Sequence, residues 1–223
     1  MERTFDRIPQ FDERSRAYPI RAALQAAELK PRGYTWGLYT QLDQGSEGAC
    51  VGFGWAHELA ARPAVVEHIN NEVGRTIYHD AQTVDEWPGE DYEGTSVLAG
   101  AKTVVARGFM TEYRWVFSLD DLVLAVGYKG PVVMGTNWYS SMWDTDDNGW
   151  FPEGVSGEVV GGHCWLVRGV NVTRKEFLCR NSWGVNWGLY GDFRLKFDEM
   201  SQLLAASGEG CVPMGRDKIG SLT

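Results

Sequence analysis

Residues 162–191 read GHCWLVRGVNVTRKEFLCRNSWGVNWGLYG. Two short runs, HCWLVRGVNV and EFLCRN, are rich in Val, Leu, Phe and Trp. Between them stand Thr173, Arg174 and Lys175, which predicts a β-hairpin. His163 opens one strand and Asn181 closes the other, 18 residues apart with the turn midway, so a hairpin sets them side by side. An Asn amide oxygen placed there can accept an imidazole N–H and fix the ring's orientation.

Working outward from this hairpin, VVMGTNW at 132–138 and DFRLKF at 192–197 also read as short strands. Upstream the period changes to that of helices. WAHELAAR at 55–62 runs helically until Pro63 stops it. The stretch 64–82 has apolar residues at Val65, Val66, Ile69, Val73 and Ile77. Ser96 can cap a helix that Gly108 ends, and Ser118 with Asp121 opens LDDLVLAVG at 119–127. Residues 1–33 form a polar, Arg-rich arm with one apolar-periodic patch at Ile20, Ala23, Leu24 and Ala27. The expected architecture is α+β: an N-terminal arm over 1–33, a mainly helical lobe over about 34–125, and a mainly β lobe over about 126–223.

Composition narrows the function classes. The chain has 223 residues, 43% hydrophobic and 23% charged, as a globular protein does. Thirty acidic against 21 basic side chains leave a net charge of -9, which argues against binding nucleic acid. The uncharged stretch from Gly130 to Trp143 is too short to span a bilayer. The first 20 residues carry charges throughout and show no apolar signal-peptide core. Four cysteines without paired spacing do not make a disulfide framework. The expectation is a cytoplasmic protein with no membrane partner; nothing in the sequence specifies an oligomeric state.

Acyl transfer by a thiol needs a thiolate, a base, a group to orient that base, and donors for the oxyanion. Cys50 stands in QGSEGACVGFGWAHEL (44–59), a Gly-rich turn running into a helix. The unpaired N–H groups of a helix start favour negative charge on sulfur, which predicts a lowered thiol pKa. His163 and Asn181 supply the base and its orienter. This chemistry requires no metal and no cofactor.

Three blocks carry a resemblance. Gln44, Gly45, Gly48, Ala49 and Cys50 match Q-G-x-x-G-[SA]-C. Gly162 and His163 precede an apolar strand. Asn181, Ser182, Trp183, Gly184, Trp187, Gly188 and Gly191 complete N-S-W-G-x-x-W-G-x-x-G. In these blocks the chain resembles the papain-like cysteine peptidases over roughly residues 34–200. The resemblance implies the two-lobe fold of that family, with a helical N-terminal lobe, an antiparallel β-barrel-like C-terminal lobe and the active site in the cleft between them. It also implies roles: Cys50 as nucleophile, His163 as base, Asn181 as orienter, Trp183 as shield of their hydrogen bond, and Gln44 with the Cys50 N–H as the oxyanion hole. Gly94, Thr95, Gly162, Trp183 and Trp187 would contact a peptide or protein substrate. The departures are Glu47 in place of a bridging cysteine, Val51 in place of a Trp, and only 43 residues before Gln44 where the family has a long inhibitory propeptide. Two other readings stay open: a transglutaminase-like acyltransferase, which usually ends its triad in Asp, and a catalytically silent peptide-binding homologue.

Other signals read as structural. His57 and Glu58 start an HExxH-like string, but Ala61 leaves no second zinc ligand, so helix surface is expected. Asp144, Asp146, Asn148 and Gly149 resemble a calcium loop, yet Val155 stands where a bidentate Glu is required. Acidic runs stand at 80–93 and 144–158, which the resemblance would place beside the cleft, while Arg3, Arg7, Arg14, Arg16 and Arg21 lie in the arm. These predict a preference for basic substrates and an arm able to lie along the groove.

Overall fold

The computed structural model describes residues 4–10, 12–24, 29–85 and 93–216. Arg3, Ala27, Glu86, Glu90 and Asp91 lie outside the described residues.

The helices are α1 (Ile20–Leu24), α2 (Cys50–Ala60), α3 (Asn71–Val84), α4 (Val97–Ala106), α5 (Leu119–Tyr128) and α6 (Phe197–Ala205). The strands are β1 (Tyr34–Thr35), β2 (Glu112–Val116), β3 (Val132–Tyr139), β4 (Val159–Asn171), β5 (Glu176–Arg180), β6 (Asp192–Lys196) and β7 (Glu209–Met214). They form one antiparallel sheet in the order β2-β7-β3-β4-β5-β6, with β1 added against β4.

The sheet's central strands are apolar on both faces, because each face meets a separate hydrophobic cluster. Side chains alternate along a strand. Val132, Met134, Trp165 and Val167 therefore enter one cluster with Trp138, Phe177 and Phe193. Val133, Cys164, Leu166 and Cys211 enter the other, with Phe53, Trp55, Leu59, Ile77 and Leu98 of the helices. His163, two residues before Trp165, thus shares the face of the first cluster. α5 and Ile20 and Leu24 of α1 also pack into the first cluster, so the spatial boundary between lobes cuts across the sequence order.

Local signals account for most helix ends. Ser96 Oγ accepts the Ala99 N–H at 3.0 Å and Ser118 Oγ accepts the Asp121 N–H at 3.2 Å. α2 starts at Cys50, five residues before the apolar run, and all its residues are buried, so packing overrides two unfavourable glycines. α3 starts later than the apolar period suggests. Asn70 caps it by accepting the Val73 N–H at 3.1 Å, and His68 at φ 62° interrupts the pattern that Val65, Val66 and Ile69 began. The hairpin forms as expected, with Asn171 opposite Glu176. Asn171 Oδ1 accepts the Arg174 N–H at 3.0 Å and closes its turn. Among the described residues, no helix is long and apolar enough to cross a membrane.

Candidate active site

Cys50 is the first residue of α2, the central buried helix, and is itself fully buried. His163 and Asn181 come from β4 and the end of β5. His163 Nε2 lies 2.8 Å from Asn181 Oδ1, just beyond the last rung of the ladder at Leu166 and Arg180. Trp183 stands 5.1 Å from the His163 ring, centroid to centroid, and is 2% exposed. Trp187 sits behind Trp183 at 5.0 Å and donates its indole N–H to the Trp143 carbonyl at 2.7 Å.

Gln44 is buried on the loop before α2. Its Nε2 donates to the Glu47 carbonyl at 2.9 Å, and its Oε1 accepts the Ser182 hydroxyl at 2.6 Å. The Ser182 N–H in turn donates to Asn181 Oδ1 at 2.8 Å. Ser182 therefore joins the orienting Asn to the expected oxyanion donor. Sequence reasoning did not single it out, although its place beside Asn181 is the signal that marks it.

The groove beside Cys50 holds the chain's own N-terminal arm. Arg7 N–H donates to the Gly162 carbonyl at 2.8 Å, Ile8 N–H to the Thr95 carbonyl at 2.9 Å, and Thr95 N–H to the Asp6 carbonyl at 3.1 Å. These pairings are parallel, with Gly162 on one side and Thr95 on the other. Both flanking glycines are required by the closeness of approach: a Cβ on Gly94, at φ 98°, would sit 2.0 Å from the Asp6 oxygen, and one on Gly162 would sit 2.1 Å from the Arg7 oxygen. Gly94, Thr95 and Gly162 thus flank the arm. Phe5 lies against His163 (5.5 Å, edge-on), Trp143 (4.8 Å) and Trp183 (5.6 Å).

This covering changes the thiol. The expected lowered pKa of Cys50 is not what the closed groove gives: burial pushes it up to about 11, against backbone hydrogen bonds from Asp6 and Cys164 that favour the thiolate. Cys164, Cys179 and Cys211 are also free, buried and pushed upward by burial. Glu47, standing where a bridging cysteine was expected, is tied instead to α3: Arg75 Nε is 3.0 Å and His79 Nε2 3.3 Å from its carboxylate. A half-exposed pair of this kind contributes roughly 0–1 kcal/mol.

One expectation is corrected. His57 and Glu58 are buried, not surface residues. His57 Nε2 accepts the Leu42 N–H at 3.3 Å, and burial, with Arg180 nearby, holds its pKa well below the usual histidine value; Glu58 pairs with Arg216 at 3.0 Å. Among the arm's described arginines, Arg14 and Arg16 pair locally with Asp12 and Glu13, Arg21 pairs with Asp121, and Arg7 pairs with Glu209. Asp146 of the calcium-like loop accepts the N–H groups of Asn148 and Trp150 at 2.9 Å each, as in a turn.

No family model matches the chain. It is 23% identical to an uncharacterised peptidase C1-like protein of Acanthamoeba polyphaga mimivirus, over 71% of this chain and 64% of that protein. The chain thus spans less than two thirds of that relative's length. Among solved structures it is similar to xylellain, a cysteine protease from Xylella fastidiosa, with a TM-score of 0.64 at 17% identity over 95% of this chain and 96% of that one. It is also similar to the bromelain protease of Ananas comosus, with a TM-score of 0.61 at 14% identity over 83% and 100%. Digestive procathepsin L 3 of Tenebrio molitor gives 0.59 at 14% over 84% and 71%. The chain therefore has the fold of these cysteine proteases, and all four of its own cysteines are unpaired.

Proposed function

We propose that the protein is a thiol peptidase whose groove is closed by its own N-terminal arm. The observation that carries this reading is the 2.8 Å contact of His163 Nε2 with Asn181 Oδ1, on the lobe facing the helix start that bears Cys50. With Nε2 engaged by Asn181, Nδ1 is the ring atom left to take the thiol proton. The sulfur attacks a peptide carbonyl, and the oxyanion is held by the Cys50 N–H and a Gln44 amide N–H. The imidazolium then protonates the departing amine, leaving an acyl-enzyme that water hydrolyses with His163 again as base. Asn181 keeps the ring aligned throughout, and no metal or cofactor takes part.

The backbone pairings at Gly162 and Thr95 are made with main-chain groups, so any extended peptide can replace the arm there. Catalysis requires that exchange, because Cys50 is fully buried while the arm occupies the groove. The soluble peptide or protein substrate enters when the arm leaves; the function needs neither nucleic acid nor membrane. Asn181 rather than an Asp favours hydrolysis over a transglutaminase-like transfer to amines, and the intact set of Gln44, Cys50, His163 and Asn181 disfavours a silent peptide-binding homologue.

Treatment with an irreversible peptidyl thiol alkylator, followed by peptide mapping, tests the reading. One adduct is expected, on Cys50, formed faster when Phe5→Ala loosens the arm and absent from Cys50→Ala. No adduct on Cys50 in the Phe5→Ala protein would sink it.

A further inference from the structure

Gln44 ends a stretch, residues 36–44, that belongs to no helix or strand. Among the described residues its β-bridges are two isolated pairs, Leu38 with Ala61 and Asp43 with Trp183. Main-chain groups outside a ladder must find partners elsewhere. Two carbonyls of this stretch find them in arginine side chains of the sheet. Arg168 Nη1 donates to the Trp36 carbonyl at 3.3 Å, and Arg180 Nη1 to the Thr40 carbonyl at 3.1 Å.

The two guanidiniums converge on one carboxylate. Asp192, the first residue of β6, lies opposite Arg180 in the β5–β6 ladder. Its Oδ1 accepts from Arg180 Nε at 2.6 Å and from Arg168 Nε at 3.1 Å, while Arg168 Nη2 reaches its Oδ2. A bulge delivers Arg168: Val167 pairs with Cys179 and Gly169 with Leu178, so Arg168 is the extra residue of β4. The side chains of Arg180 and Asp192 are 4% and 8% exposed. Apolar residues in their place would support the sheet equally well. They could not hold the carbonyls of Trp36 and Thr40. From the helical side, His57 Nε2 accepts the Leu42 N–H, which requires that nitrogen unprotonated. Burial, then the nearby Arg180 charge, favours the neutral ring, so Arg180 supports this contact as well.

From this geometry we infer that Asp192, acting through Arg168 and Arg180, clamps the stretch that carries Gln44, and that these three are positioning residues for the oxyanion donor. The inference rests on the proposed peptidase reading for its catalytic meaning. A donor stabilises an oxyanion only from within hydrogen-bond reach, and a misplacement of about 1 Å is enough to lose it. The oxyanion exists in the transition state and not in the bound substrate, so loosening the stretch costs kcat rather than KM. Arg180 immediately precedes Asn181, so the clamp joins Gln44 to the strand that orients His163. Arginine suits the task because one planar head group reaches a carboxylate and a carbonyl in different directions, which a lysine ammonium does less well.

Two variants test it, both in the full chain carrying Phe5→Ala so that release of the arm limits no reading. Arg180→Lys keeps the charge beside Asp192 but gives up the second contact. Arg168→Met/Arg180→Met/Asp192→Leu removes the network and leaves no lone buried charge, which protects against misfolding. Amide hydrogen exchange read by mass spectrometry should speed up at least about fivefold over residues 36–44, while β3 and β7 keep their protection. The kcat for a peptide substrate should fall about tenfold or more, with KM within about twofold. Alkylation of Cys50 by iodoacetamide forms no oxyanion and should keep its rate within about twofold, a reading that a general structural loss would move. Unchanged exchange over 36–44 in both variants would overturn the proposal, as would protection lost throughout the sheet in both. Faster exchange with an unaltered kcat would overturn it too. If the Phe5→Ala parent neither hydrolyses peptides nor reacts with iodoacetamide, the peptidase reading falls, and hydrogen exchange still decides the clamp.

Discussion

Ser182 donates its hydroxyl to Gln44 Oε1 at 2.6 Å while its own N–H is bound by Asn181 Oδ1 at 2.8 Å. One residue thereby fixes the amide orientation of Gln44, the proposed oxyanion donor, and braces Asn181, the proposed orienter of His163. Fixing Gln44 Oε1 towards Ser182 leaves its Nε2 as the end that faces other acceptors, here the Glu47 carbonyl.

Ser182→Ala should therefore lower kcat by about 10- to 100-fold with little change in KM, less than the 10²–10³ expected for Gln44→Ala, which deletes the donor itself. It also leaves a buried amide oxygen without a donor, a loss of about 1–3 kcal/mol in stability. Steady-state kinetics beside urea unfolding separates the two effects. A variant with unaltered kcat would show that Gln44 needs no brace.

The triad should lose activity in steps. Cys50→Ala and His163→Ala remove groups that make or break bonds and should abolish turnover, whereas Asn181→Ala should retain a measurable fraction, because it only orients the ring. Assays on folded variants, checked by circular dichroism, read the order directly. Turnover by Cys50→Ala is incompatible with the mechanism.

With the arm docked, all four thiols are buried and raised, that of Cys50 to about 11. Brief iodoacetamide treatment of the intact protein at pH 7 should accordingly modify Cys50 slowly. Phe5→Ala, which removes the ring packed on His163 and Trp143, should accelerate that labelling at least tenfold, Phe–aromatic contacts being worth about 0.5–1.5 kcal/mol beyond their buried area. Rapid labelling of the unaltered chain would mean that the groove is already open in solution.

Docking should also depend on pH. Burial, then the neighbouring Glu93 charge, raises the Asp6 carboxyl above its ordinary value of 3.8, against a hydrogen bond from Thr4. A carboxyl raised in the docked state binds protons more readily there than when released. Docking is thus most favourable below the ordinary value and weakens as pH rises through the elevated one. Tryptophan fluorescence, reporting the rings that Phe5 covers, should change on raising pH from that ordinary value towards neutrality. Asp6→Asn should flatten the change, and an identical profile in that variant would rule out Asp6 as its origin.

Reductant should leave the thermal midpoint unchanged, because every cysteine is free and the loop position of Glu47 is tied to α3 by Arg75 and His79. A midpoint that falls by several degrees on reduction would reveal a bridge in solution.

The sequence by itself determined the parts whose causes are local or covalent in spacing. Ser96 and Ser118 marked their helices through side-chain caps. The turn at Thr173, Arg174 and Lys175 fixed the hairpin, and with it the meeting of His163 and Asn181. Gly94 and Gly162 announced that another backbone comes close, although not which one. Tertiary structure decided what depends on partners distant in the chain. Whether His57 lies at the surface was settled by its burial within α2, which is apolar all round and therefore carries no amphipathic signal. The raised thiol of Cys50 follows from its burial in the folded chain, since desolvation outweighs what a helix start offers a thiolate. Glu209 could not be recognised as the partner of Arg7: it stands in a short strand that contains a proline, and the pair forms only where β7 meets Gly135 and the arm, 202 residues away in sequence.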